Sequence, residues 1–335
     1  EALDHLLAAP VLRGESEGED AIDRYRFADP ELENLTLSSA FDDRVYGGYG
    51  IGEWSLGGGH VLGAAVHARQ DRHRKTERFP DGSEDPNERY VAWSWSVSAE
   101  DRWQIGDRTR LVSSLAIDGL SVDEALSLRD DGGGPGLVAD DLSSDALVSP
   151  QIEIRRNLGA RWGASAALYR RGRFPTMRQL YGTEPPNPGL DPQTTTGVDH
   201  GVEFAADPVV TFRGTVFANL VSDLITRQGR DFPYLNHDAD RINVIELRAL
   251  GSLGALDYSA SWTGLDHRLT ESSEGFEKIP YVPNHQVEVL ATVALGDRFE
   301  LSGIWRYTGE RVAYDRADII ELGDYSILDL GAAVR

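Results

Sequence analysis

Cysteine is absent from all 335 residues and methionine occurs once. No disulfide framework and no thiolate-bound zinc or iron–sulfur centre can form. Long apolar runs are also missing: no stretch of 18 or more residues could cross a bilayer as a helix. The mean hydropathy of −0.37 still admits a membrane protein, because a barrel strand alternates lipid-facing and lumen-facing side chains and never builds a hydropathy peak. No secretory leader is visible at Glu1, so the stretch is expected to be mature or a fragment. No HExxH, G-x-S-x-G, P-loop or dinucleotide fingerprint occurs. His5, His60, His200, His237, His267 and His285 are scattered without metal-ligand spacing. Neither an enzyme, a cofactor nor a metal site is expected.

What is abundant is acid, with a net charge of −22. Solvated, Asp- and Glu-rich loops, including loops adapted to high salt, account for it. An acidic mouth that concentrates cationic or metal-bearing ligands would use the same charge. Nucleic acid is excluded as a partner.

From about residue 90 onward, very short polar turns alternate with long connections. The short ones are Gly106-Asp107-Arg108, Leu158-Gly159-Ala160-Arg161, Asp207-Pro208, Leu253-Gly254-Ala255 and Gly296-Asp297-Arg298. The long ones cover roughly 126–145, 174–193, 228–240, 268–284 and 310–324. One trimmed end and one elaborate end is the asymmetry of a transmembrane barrel. Between the turns the side chains alternate with period two. Phe212, Val216, Ala218, Leu220 and Leu224 oppose Thr211, Arg213, Thr215, Asn219, Asp223 and Arg227. Val287, Val289, Ala291, Val293 and Leu295 oppose Gln286, Glu288 and Thr292, and Phe299, Leu301, Gly303, Trp305 and Tyr307 oppose Glu300, Ser302, Arg306 and Thr308. Such alternation suits a sandwich with one wet face as well as a barrel with a wet lumen.

Length separates the two, since runs of about ten to eighteen residues exceed ordinary globular strands and suffice to cross a bilayer. Aromatics such as Trp93, Trp95, Trp305 and Tyr307 sit where interfacial girdles lie. The expected fold is all-β, an antiparallel up-and-down transmembrane β-barrel. About fifteen strands are expected, at 22–28, 34–40, 45–56, 60–69, 90–105, 109–126, 144–157, 162–173, 194–206, 210–227, 241–253, 256–268, 285–295, 299–310 and 324–335. An odd number does not close a bacterial barrel.

A set of ordered segments gives a family resemblance. RGRFPTMRQLY contains Arg171, Phe174, Pro175, Thr176, Leu180 and Tyr181, and is followed by Asn187, Pro188, Leu190 and Pro192. Together they resemble the "GFRAPT…LY" turn and "NPxLxPE" segment of TonB-dependent outer-membrane receptors. The resemblance runs through WSVSAEDRWQIG (95–106), ANLVSDLI (218–225), RINVIEL with Glu246, Leu265-Asp266 and IPYVPNH with Pro280 and Pro283. It ends in RYTGER, which holds Arg306, Tyr307, Gly309 and Arg311, and YSILDL, which holds Tyr325 and Asp329. It covers about 95–335; the residues before share only the strand rhythm. Two departures stand out: Phe174 precedes Pro175 directly, and Val244 replaces a usual Gly. No segment resembles the family's plug domain or energy-coupling box, so residues 1–335 are expected to be part of a larger barrel. The resemblance implies a monomeric receptor in outer-membrane lipid and lipopolysaccharide. It would take up a siderophore–iron complex, cobalamin or a similar nutrient, drawing on an inner-membrane energy-transducing complex through the plug. Pro175, Pro188 and Pro192 cannot donate to a ladder and are expected in the connecting loop.

Few residues invite chemistry. Arg69, Arg72, His73, Arg74 and Lys75 form a basic cluster at the start of an expected loop 70–89. It suits an anionic ligand such as a ferric siderophore, or a solvated loop touching lipopolysaccharide. Gly132-Gly133-Gly134-Pro135-Gly136 reads as a loop tip, and Asp130, Asp131, Asp140 and Asp141 as loop acids with a calcium site as the alternative. Three functions stay open: an energy-coupled transporter, a passive porin-like channel, and a soluble all-β binding domain or outer-membrane enzyme. Detergent extraction with a heat-modifiable gel shift separates the first two from the third. An open set of strands leaves unpaired edges, so cells expressing only this segment are expected to take up no ligand in an uptake assay.

Overall fold

A computed structural model of the chain describes residues 23–25, 37–78, 82–130, 135–182, 186–207, 209–227, 232–237, 240–269, 279–315 and 318–334. The strands are β1 (Asp23–Tyr25), β2 (Leu37–Gly57), β3 (His60–Arg78), β4 (Glu84–Ile105), β5 (Thr109–Asp130), β6 (Pro135–Ala139), β7 (Ser144–Asn157) and β8 (Trp162–Arg173). A short helix α1 (Met177–Tyr181) follows, then β9 (Gln193–Asp207), β10 (Val210–Ser222), β11 (Leu224–Thr226), β12 (Leu235–His237), β13 (Asp240–Leu253) and β14 (Leu256–Leu269). The chain ends in β15 (His285–Leu295), β16 (Phe299–Thr308), β17 (Arg311–Asp315), β18 (Asp318–Leu322) and β19 (Tyr325–Val334).

One antiparallel fifteen-stranded sheet contains nearly all of these. Its path runs β1-β2-β3-β4-β5-β7-β8-β9-β10-β13-β14-β15-β16-β19, with β6 paired to β5 off the path. β1 and β19 do not pair among the described residues, so the wall is open. β11–β12 and β17–β18 are separate two-stranded hairpins. Every strand on the path therefore lies beside its chain neighbours, the up-and-down arrangement that hairpin connections produce. Gly58, Gly106, Gly254 and Gly296 take φ of 60°, 60°, 63° and 65° in the tight turns. Only glycine adopts this left-handed region without a Cβ penalty.

The two faces of the wall differ in chemistry. On one face β4 presents Trp93, Trp95 and Val97, β5 Leu115 and Ile117, and β10 Phe212, Val216 and Leu220, and all of these are exposed. The opposite face carries Ser94, Ser96, Ser98 and Glu100 on β4, Ser114 and Asp118 on β5, Gln151 and Glu153 on β7, and Thr215 and Asn219 on β10. Exposure rules out a sandwich: Phe212, Val216 and Leu220 keep 48%, 49% and 43% of their surface, and Phe299, Leu301 and Trp305 keep 54%, 48% and 38%. Among the described residues no second sheet covers them, so the apolar face is the outside and the polar face lines the interior. Trp95 stands directly opposite Gly119, where an added Cβ would fall 2.2 Å from the indole ring. The large ring covers the bare backbone of its neighbour, a pairing that stabilises glycine-containing strands.

Ion pairs join strands on the inner face, one of them reaching across β3 from β4 to β2. Arg102 meets Glu53 and Arg213 meets Glu203. Arg306 lies 3.1 Å from Glu288 and 2.8 Å from Asp329.

Three expectations need correction. The segments 34–40 and 45–56 are one strand, β2, because the charged residues between them continue the pairing with β3 without a break. The sheet still holds fifteen strands, as expected: the merger leaves fourteen on the path, and β6, paired to β5, is the fifteenth. β10 ends at Ser222 rather than 227, because Asp223 turns the backbone to a φ of 58°. The long connections are also not simple loops: that at 126–145 carries the end of β5 and β6, that at 174–193 holds α1, and that at 310–324 folds as β17–β18.

A charge placed mid-wall on the outside should cost about 2–4 kcal/mol in a bilayer. Val216→Arg is expected to destabilise the full-length protein by that amount, and Thr215→Arg, one position back and inward, far less. Urea unfolding in phospholipid vesicles measures both.

Candidate functional site

At the end of the wall that bears the long connections, a segment folds onto the inner face. Thr176 starts α1 with a capping box: its hydroxyl accepts from the Gln179 amide at 3.3 Å, and the Gln179 side chain accepts from the Thr176 amide at 2.9 Å. Such reciprocal bonds satisfy donors that a helix start leaves free. The helix turns Leu180 and Tyr181 onto the inner face of β4 and β5, where Tyr90, Ala92, Leu120, Val122 and Ala125 form an apolar patch. Leu190 and Ile225 complete the cluster, with Phe174, Met177 and Tyr234 packed against it. Leu180 is 0% and Leu190 2% exposed.

Polar groups fasten the same segment. The Tyr181 hydroxyl donates to the Asp141 carbonyl at 3.1 Å and accepts from the Ser143 amide at 3.2 Å. Burial pushes its pKa up, which keeps it a donor. The Asn187 side chain donates to the Tyr234 carbonyl at 2.9 Å. Asn236 on β12 accepts from the Asp191 amide and donates to the Asp191 carbonyl, each at 2.9 Å, and donates to the Asp223 carbonyl at 3.0 Å. Pro175, Pro188 and Pro192 all lie in this segment outside the strands. Arg171, on the inner face of β8, donates to Gln151 at 3.2 Å and lies over the Tyr169 ring at 4.3 Å.

The basic cluster is placed differently from its expected loop. It belongs to β3, which continues to Arg78 because it is paired with β2 and β4 on both sides. Strand parity then divides it. Arg69, His73 and Lys75 face inward with Asp71, while Arg72 and Arg74 face outward with Gln70. The inward residues meet acids: Arg69 Nε is 2.9 Å from Asp71, and Lys75 Nζ is 3.4 Å from Glu77 and 3.7 Å from Glu88. His73 Nδ1 lies 2.5 Å from Asp43 and its Nε2 3.8 Å from Glu88. Its ring stacks on Tyr90 at 5.6 Å, and Tyr90 on Tyr181 at 5.5 Å. A continuous stack thus joins the charged rim to the seated helix. Glu88 first, and Asp43 after it, hold the imidazole above its ordinary 6.5 against the opposing effect of burial. His73 in turn holds Glu88 below its ordinary 4.5.

Further along the wall the remaining motif residues form a second fastening. The 279–284 segment, with Pro280 and Pro283, bonds to its neighbours through Tyr281 N to the Val312 carbonyl at 2.7 Å and Ile279 N to His267 Nε2 at 3.1 Å. Gly309 fits closely, since a Cβ there would lie 2.6 Å from Asn284 Oδ1. Arg311 covers the Tyr325 ring at 4.9 Å, and Tyr307 stacks on His285 at 5.4 Å. Glu246 is an inward residue of β13 opposite Thr215 and Thr263. Val244 also points inward, opposite Phe217 and Leu265, with no break in pairing where the family's Gly would stand.

The β11–β12 hairpin escaped the sequence reading because Asp223 gives no turn motif by itself. The inner patch did leave a trace: Tyr90-Val91-Ala92-Trp93 is apolar at every position, as a strand covered on both faces is. Asp140 accepts from Ser127 at 2.8 Å; Asp131, His5 and Gly132-Gly133-Gly134 lie outside the described residues, as does the side chain of Asp130. Among the described residues no group of three His, Asp or Glu side chains is placed to hold a metal ion.

An up-and-down wall with an apolar outside, a polar inside and an inwardly folded mouth segment defines a receptor-type β-barrel. The chain belongs to the TonB-dependent receptor family: the family described as "TonB dependent receptor-like, beta-barrel" matches residues 13–335. Among solved structures it is similar to the copper transporter OprC, with a TM-score of 0.75 and 20% identity, covering 90% of this chain and 50% of that one. It is similar to the siderophore receptor PiuA from Acinetobacter baumannii (TM-score 0.68, 15% identity, 89% and 51% covered). It is similar also to the ferric citrate transporter FecA in unliganded form (TM-score 0.69, 11% identity, 93% and 49% covered). The chain spans about half the length of these structures. No curated protein matches.

Two outcomes are expected at the mouth. Leu180→Ala removes a fully buried side chain and should cost about 2–5 kcal/mol of local stability, read as faster proteolysis of the 174–192 segment. The raised His73 value stabilises fully below 6.5 and is lost as pH rises through it, while the lowered Glu88 value stabilises above 4.5 and is lost as pH falls through it. Hydrogen exchange of α1, corrected for intrinsic rates, should therefore be slower at about pH 5.5 than at about pH 8.5, and His73→Gln should flatten that difference.

Proposed function

We propose that this chain is barrel wall of an outer-membrane receptor that takes up a scarce metal complex by energy-coupled transport. The observation that carries this reading is the mouth segment folded inside a polar-lined wall, in a chain of this family. A passive channel selects by the size and charge of an open lumen, whereas a gated receptor needs an entrance held by stable inward contacts. The named neighbours handle copper, siderophores and ferric citrate. A metal complex is accordingly the substrate class we assign, with siderophore–iron first.

On this reading the rest of the barrel and a plug domain lie outside residues 1–335, and the plug links the receptor, a monomer, to an inner-membrane energy-transducing complex. Arg69, His73 and Lys75 serve the mouth as paired rim residues, and a ligand anion reaching them would compete with Asp71, Asp43 and Glu88.

Uptake of radiolabelled ferric siderophores of catecholate, citrate and mixed type, in cells expressing the full-length receptor, tests the proposal. Uptake of at least one is expected to stop when a protonophore removes the inner-membrane gradient. Uptake that continues at an unchanged rate and does not saturate would establish the porin-like alternative instead.

A further inference from the structure

We propose that Arg171 and Arg173, on the inner face of β8, form a paired anion site that selects metal chelates carrying free carboxylate groups. The inference rests on the uptake reading above and narrows the class of complex that it leaves open.

Strand parity turns both side chains toward the lumen. Arg171 stands opposite Thr195 and Arg173 opposite Gln193 on β9, and both are exposed. Residues two apart on a strand are separated by about 7 Å, so two positive charges stand close together. Other inward arginines are neutralised: Arg69, Arg213 and Arg306 each meet a carboxylate. These two meet amides instead. Arg171 Nη2 donates to the Gln151 side-chain oxygen at 3.2 Å, and Arg173 Nη2 to that of Gln193 at 3.1 Å. Among the described residues neither has a carboxylate within ion-pair distance. Asp199, on the neighbouring strand, is engaged by the Tyr169 hydroxyl at 3.0 Å. A neutral acceptor orients a guanidinium without cancelling its charge. The Tyr169 ring, 4.3 Å from the Arg171 guanidinium carbon, fixes the plane of that group as well. A guanidinium has five N–H donors, so each keeps several for the lumen. Like charges this close repel, and an incoming anion relieves the repulsion.

Chemistry identifies that anion. A guanidinium binds a carboxylate through two parallel hydrogen bonds, so two of them about 7 Å apart suit a complex presenting two carboxylates that metal coordination leaves free. A tris-catecholate complex spreads its charge over metal-bound oxygens, and a trihydroxamate complex carries no carboxylate. Neither offers the planar pair of oxygens that the site fits. Location suits capture: Arg173 directly precedes Phe174, which packs on the seat of α1. The pair therefore lies at the inner edge of the folded mouth, where an entering ligand meets the lumen.

The test titrates the full-length receptor in detergent with ferric citrate, a ferric tris-catecholate and a ferric trihydroxamate, read by isothermal titration calorimetry. Wild-type receptor should bind ferric citrate most tightly. The double variant Arg171→Gln/Arg173→Gln should bind it roughly a hundredfold more weakly while keeping its heat-modifiable gel mobility. Arg171→Lys/Arg173→Lys keeps the charge but not the paired donors, and should stay roughly tenfold weaker than wild type. Undiminished binding by the folded Gln variant, full recovery by the Lys variant, or tighter wild-type binding of a complex without carboxylates would overturn the site. If the Gln variant does not fold, the wild type decides: its affinity for ferric citrate should fall steeply with added salt, and salt-independent binding overturns the proposal. Energy-coupled uptake of a catecholate or trihydroxamate complex without any binding of ferric citrate would sink this site and leave the transport reading standing. Saturable ferric citrate binding with uncoupled uptake would do the reverse.

Discussion

A strand in hydrocarbon has no water to satisfy its amides and carbonyls, so each must bond to a neighbouring strand. That requirement produces the one continuous antiparallel sheet seen here, with consecutive strands side by side. The two-residue period of the pleat then assigns every side chain to lipid or lumen. Phe212, Val216 and Leu220 go outward and Thr215 and Asn219 inward for this reason alone.

At the mouth the inner face carries an apolar cluster. Tyr90, Ala92, Leu120, Val122 and Ala125 would be an exposed apolar patch on a water-facing wall, and α1 and Leu190 cover it. Burial supplies the driving force, while Tyr181, Asn187 and Asn236 set the position through bonds to backbone groups, which a purely apolar contact would leave undefined. His73 connects this seat to the charged rim through stacked rings, so protonation at the rim and packing of the segment are coupled.

The outer face shows a related division by height. Trp93 and Trp95 occupy the girdle level, and the outward positions above them turn to Arg72, Arg74 and Arg89. One strand thus crosses from an apolar environment into a charged one without changing its backbone conformation. Charges spaced along β3 looked like loop sequence because both faces of a strand become polar once it rises above the bilayer, and period-two alternation then vanishes.

Turn glycines, outward apolar rows and the ordered family segments were legible in the residues themselves, since each depends on contacts within a few positions or on a fixed pleat. The sequence alone therefore determined an antiparallel barrel wall, its polar inside and its family. Tertiary structure decided the rest. The seat of Leu180 against Tyr90 and Leu120, the clasp of Asn236 on Asp191, and the split of the basic run between two faces all depend on contacts or register between segments distant in the chain. No local rule encodes which distant strand supplies the partner, so these features emerge only when the wall is assembled.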